Sequence, residues 1–155
     1  MGDDPLDRTI AESLQEAAAE AQRALEAETR LRRALVGMRV RARHDLPASA
    51  GALELDPHTP GGLVPGDWAA MVEAVGAAVR AGQELRIDSI RLRWQVIEVR
   101  FRPAASSRAV ATIHLRFGGA VPLPYLEPAA LLRALRAIVL LPTEPGDGAN
   151  PRGDR

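Results

Sequence analysis

The sequence predicts an α+β fold: a long N-terminal helix, then a small antiparallel sheet of about three strands covered on one face by two helices. Three observations lead there. An apolar seam with alternating spacings of four and three runs through the first forty-odd positions. Period-two alternation occupies the stretch from Leu85 to Phe117. Two shorter amphipathic runs, opening at Asp67 and at Glu127, flank that alternation. The implied organisation is a helical arm over 1–45, a compact α+β domain over 46–142, and a disordered tail over 143–155.

The arm opens on Asp4 and Pro5, a capping carboxylate followed by proline at the first helical position. Its seam is Ile10, Leu14, Ala17, Ala21, Ala24, Glu28, Leu31, Leu35, Met38 and Ala42. The middle of the seam is alanine, which lets helices approach closely but buries little area. Gly37 within the run costs about 1 kcal/mol of helix propensity. A helix over 5–45 would reach about 60 Å at ~1.5 Å per residue, so part of it should project or pair. Its charges are sorted. Residues 1–28 hold eight acids against Arg8 and Arg23, leaving −6. Residues 29–45 hold six arginines against Asp45, leaving +5. That order suits the helix dipole, and it suits an antiparallel neighbour of the same kind.

Residues 46–65 are punctuated by proline and glycine and predict a loop holding one short strand, Ala52 to Leu55. The second helix presents Trp68, Met71, Val72, Val75, Ala78 and Val79 on one face and ends at Gly82. From Leu85 to Arg102 the alternation changes parity at Val96-Ile97. The absence of Gly, Asn or Pro there favours a bulge in one long strand over a tight turn. Arg108 to Phe117 is the return strand. The expected core face is Ile90, Leu92, Trp94, Val99, Phe101, Ile113, Leu115 and Phe117, covered by Trp68, Val72, Val75, Leu131, Leu135 and Ile138. The third helix is expected to stop at Pro142.

Composition narrows the function. There are 20 basic residues and 20 acidic ones, so no net charge draws the chain to nucleic acid or an anionic membrane. All the basic residues are arginine, a bias that fits high-GC coding drift. Cysteine is absent, which removes disulfides, thiolate nucleophiles and cysteine metal sites and fits a reducing cytoplasm. No segment has the ~18 apolar residues of a membrane span, and the N-terminus lacks a signal-peptide pattern.

No catalytic constellation emerges. The serines lack a Gly-x-Ser-x-Gly context, and Pro60-Gly61-Gly62 lacks the Gly-Lys-Ser/Thr of a phosphate loop. Glu73, Glu84 and Glu98 are scattered. His44, His58 and His114 show no metal-ligand spacing. Arg152-Gly153-Asp154 is an adhesion tripeptide by spelling, best accounted for by chance in such a tail. The chemistry-bearing pattern that remains is arginine on the outer sheet face. Arg91, Arg93, Arg100, Arg102 and Arg116 are candidate anion-binding residues, yet the stacking aromatics of a nucleic-acid platform are assigned inward.

The string Glu84 to Leu92 resembles, over about a dozen residues of generic alternation, the inner-membrane assembly proteins of type II secretion and type IV pili. Their membrane helix is missing here, as is the helix between strand pairs. The helix–strand–strand stretch is also similar to small adaptor domains encoded beside bacterial trypsin-like proteases. No residue role transfers from either.

The sequence therefore points to a non-enzymatic adaptor or assembly protein that needs no cofactor. It would act through helix–helix contacts of its arm with a protein partner or a second, antiparallel copy. The expected contact residues are Ile10, Leu14, Ala21, Leu31, Leu35 and Met38. The alternative is nucleic-acid binding through the arginine face. A fold-back of Glu12, Glu16 and Glu20 onto those arginines would merge both surfaces into one internal contact.

Overall fold

A computed structural model describes residues 4–48, 51–58 and 67–141. The expected tail over 143–155 and most of the Pro57–Pro65 loop lie outside them. The elements run α1 (Pro5–Leu35), β1 (Arg39–Ala42), β2 (Leu46–Pro47), β3 (Leu53–Leu55), α2 (Asp67–Val75), β4 (Ala77–Val79), β5 (Glu84–Leu92), β6 (Val96–Pro103), β7 (Ala111–Arg116), α3 (Pro128–Leu135) and β8 (Val139–Leu140). A short 3-10 turn over Leu123–Leu126 precedes α3. Among the described residues, no helix is long and apolar enough to cross a membrane.

The helix start matches its sequence signal: the Asp4 carboxylate accepts from the Leu6 N–H at 3.1 Å, with Pro5 in the first turn. The end does not. α1 stops at Leu35, ten residues early, and its 31 residues reach about 46 Å rather than 60. Gly37 is the stop signal. It sits at φ 89°, a left-handed conformation common just past a helix end, and its N–H bonds the Ile87 carbonyl at 2.8 Å. The chain then enters β1, where Val40 and Ala42 are buried and Arg39 and Arg41 exposed. The arm over 1–45 is thus shortened, and Arg39, Arg41 and Arg43 leave the helix's basic end.

The sheet is also larger than three strands. Six strands lie in the order β3-β7-β6-β5-β1-β8, with β2 and β4 forming a separate pair. β3 runs parallel to β7, and the other neighbours are antiparallel. β3 falls on the expected short strand, Ala52 to Leu55, whereas β1, β2, β4 and β8 replace stretches the sequence assigned to helix or loop. α2 ends at Val75, Gly76 turns the chain at φ 85°, and Ala77–Val79 pairs with β2. α3 ends at Leu135, and Val139–Leu140 pairs with β1.

The parity switch at Val96-Ile97 is a tight turn, not a bulge. Arg93 and Val96 exchange backbone hydrogen bonds of 2.8 and 3.4 Å around Trp94-Gln95. No non-glycine residue among those described has positive φ, so this turn uses ordinary backbone angles and requires no Gly or Asn. A real register shift lies earlier, between Ile87 and Ser89. Trp94 consequently sits at the hairpin tip, 76% exposed, instead of in the core.

One continuous core fills the inner sheet face. Ile87, Ile90, Val99, Phe101, Ile113 and Leu115 are fully buried there, joined by Leu31 and Leu35 of α1 and Leu131 and Leu135 of α3. Trp68 and Ile138 are buried as expected, Val72, Leu92 and Phe117 are half-buried, and Val75 is exposed.

Leu31→Ala should cost ~2–5 kcal/mol in urea denaturation, because it empties a fully buried site. Gly37→Ala should cost ~1–2 kcal/mol from backbone angle alone, since a Cβ there meets nothing within 4 Å.

Candidate functional site

Two surfaces concentrate the chemistry: the free length of α1 and the outer face of the sheet. Every residue from Pro5 to Glu26 is exposed. The seam members Ile10 and Leu14 are 49% and 66% exposed, and Leu6, on the same side of the helix, is 64% exposed. Further along, the face changes role. Ala27, Leu31 and Leu35 are buried, and Arg30 pairs with Glu127 beside α3 at 2.8 Å. The six contact residues expected from sequence therefore divide. Ile10, Leu14 and Ala21 stand in the open. Leu31 and Leu35 are core, and Met38 lies beyond the helix, half-buried against that core. The latter three hold the arm in place and do not offer it to a partner.

The outer sheet face is built by alternation. β6 places Glu98, Arg100 and Arg102 outward, β7 places Thr112, His114 and Arg116 outward, and β5 adds Arg86 and Arg91. Register sets Glu98 opposite Arg91 on one side and His114 on the other. Glu98 is only 5% exposed, a buried carboxylate on the solvent side of a sheet. His114 Nε2 lies 3.4 Å from its Oε1, Arg100 lies 3.6 Å from the same oxygen, and Arg93 lies 3.9 Å from Oε2. A carboxylate only accepts, so the His114 ring donates. Burial pushes the Glu98 carboxyl up, but the His114 hydrogen bond and the charges of Arg100, His114 and Arg93 outweigh it and hold it below its ordinary value.

Most of the remaining cations are also engaged. Arg102 pairs with Asp88 at 3.4 Å and donates to the Ser106 carbonyl at 2.8 Å. Arg116 pairs with Glu54 of β3. Arg86 donates to the Gly37 carbonyl at 2.9 Å, and Arg39 pairs with Glu84 at 3.5 Å. Of the five arginines expected to bind anions, Arg93, Arg100, Arg102 and Arg116 already face carboxylates of the same sheet. Arg91 alone among the five has no ion pair with another described residue. The face is a salt-bridged network, and Glu12, Glu16 and Glu20 of the arm, all exposed, take no part in it.

In the sequence Glu98 is one of three scattered carboxylates. Its convergence with His114 and Arg100 depends on the hairpin register, which a misread turn hides. The Glu98–His114 pair floors an open depression of about 370 Å³ rimmed by Pro47, Gly51, Ala52 and Val110. Among the described residues, no group of three His, Asp or Glu side chains is placed to hold a metal ion. Comparison with protein-family models, curated proteins and solved structures gives no match.

Because the Glu98 carboxyl is held low in the folded state, its contribution to stability is fully present above its ordinary unfolded value and is lost as pH falls through the lower folded value. Glu98→Gln should cost ~1–3 kcal/mol near neutral pH, through loss of charged hydrogen bonding. It should also flatten the acid limb of urea stability measured from pH 6 to 3. An acid limb unchanged by the substitution would show that Glu98 does not carry it.

Proposed function

We propose that this chain is a non-enzymatic assembly or adaptor protein whose projecting α1 docks helix against helix. The observation that carries the reading is the continuity of one seam. At Leu31 and Leu35 that face is fully buried in the chain's own core, and at Ile10 and Leu14 the same face is open to solvent. An amphipathic stripe left in water over ~33 Å gains ~25 cal/mol per Å² of apolar surface when it is covered. The domain secures the arm through Ala27, Leu31, Leu35 and the Arg30–Glu127 pair, so the free part emerges from a fixed base.

The test replaces Ile10 and Leu14 together with Glu. The wild-type chain is expected to associate, with itself in sedimentation or with an identified protein on capture. The double variant should lose that association while keeping its melting temperature, because both positions lie outside the core. A wild-type chain that stays monomeric at tens of micromolar, and captures no protein that the variant fails to capture, would contradict the reading.

A second reading has one observation in its favour. Trp94 stands exposed at the hairpin tip between Arg93 and Gln95, with Arg91 nearby in sequence, and aromatic–cation combinations of this kind stack on single-stranded bases. Fluorescence anisotropy with labelled single-stranded DNA and RNA at low salt tests it. Binding weakened roughly tenfold by Trp94→Ala would support this reading, since one stacked base contributes ~1–3 kcal/mol. No binding at low salt, where phosphate attraction is largest, would remove it.

A further inference from the structure

We infer that the occupant of the free seam is a second copy of this chain, lying antiparallel over residues 5–26. The inference rests on the docking role of α1 and adds its partner and its register.

The seam is not uniform. Its large members, Ile10 and Leu14, lie toward the N-terminus, and its alanines, Ala17, Ala21 and Ala24, lie toward the domain. A parallel pair would stack large on large at one end and alanine on alanine at the other, so the axes would have to splay or leave a void. It would also set Asp7 against Asp7 at a seam position. The antiparallel register sets Ile10 against Ala21 and Leu14 against Ala17. Each layer then holds one large and one small side chain, and one axial separation serves the whole contact, near the close end of the usual 8–10 Å.

Length agrees with that register. It brings Pro5 of one copy level with Glu26 of the other, one residue short of Ala27, the first buried residue of α1. The open length is used in full. Asp7 of one copy falls opposite Ala24 of the other. The open segment carries Asp7, Glu12, Glu16, Glu20 and Glu26 against Arg8 and Arg23, −3 in each copy, so packing and not charge selects the register. A single two-helix contact of this length belongs to the weak class of interface.

The absence of cysteine makes the test clean. Ile10→Cys and Ala21→Cys are made singly in the full chain, one of them tagged, and treated with a short bismaleimide at about 100 µM protein. The antiparallel pair predicts that the mixture yields the mixed adduct, position 10 of one copy joined to position 21 of the other, at least fivefold over either self-adduct. In this register two copies of residue 10 stand about 16 Å apart along the axis, whereas in a parallel pair they would touch. Self-linking of Ile10→Cys in excess would overturn the inference in favour of a parallel pair. No linking, together with a monomer in sedimentation, would also overturn it. In that last case, capture of an identified foreign protein abolished by Leu14→Glu would leave the docking role standing. Loss of both would remove the docking role as well.

Discussion

The structure depends on one apolar stripe along α1 that its own domain covers only in part. Leu31 and Leu35 sit in the core with Ile87, Ile90 and Phe101, and that contact fixes where the helix leaves the domain. α3 adds Leu131 and Leu135 to the same core. The N-terminal 22 residues of α1 are left in solvent, and their Leu, Ile and Ala positions must either stay wet or be covered by association. Glu12, Glu16 and Glu20, spaced four apart, repel one another along the free length. An isolated helix with such a ladder gains from a partner twice, by burial and by being held in helical form.

Glu98 plays the corresponding part on the other side of the sheet. Alternation forces arginines of β5 and β6 onto one face, where their like charges would oppose the pairing of strands. A carboxylate near the middle, enclosed by Arg93, Arg100 and His114, turns that repulsion into attraction. Asp88, Glu84 and Glu54 extend the same pattern toward the edges. Zero net charge thus has a local counterpart: most of the cations on this face answer to carboxylates a few ångströms away, and the face offers less free charge than its arginine count suggests.

How far the molecule could be read from sequence follows from the reach of each signal. Asp4-Pro5 marked the helix start correctly because capping is local. Ile90, Val99, Phe101, Ile113 and Leu115 were placed in the core because period-two alternation survives any turn that joins the strands. The heptad pattern ran past its true end because Met38 and Ala42 kept the spacing by coincidence, although Arg39-Val40-Arg41-Ala42 also alternates and Gly37 marks the boundary. Four residues of alternation beside a long helical pattern are outweighed until β5 and β8 are there to pair with β1. Trp94 was misplaced because a turn without Gly or Asn leaves no composition signal. The Glu98 cluster was illegible for a related reason, since it exists only once three strands are in register.

Amide hydrogen exchange over residues 5–26, followed against protein concentration, tests the central claim most directly. A free, alanine-rich helix with uncovered apolar positions should exchange rapidly at low micromolar concentration. The account predicts protection that rises as the concentration passes through the tens of micromolar, confined to this stretch and centred on Ile10 to Ala21. Strong protection already present at the lowest concentration would mean that the arm is covered by its own chain. Rapid exchange at every concentration would mean that the seam finds no second copy.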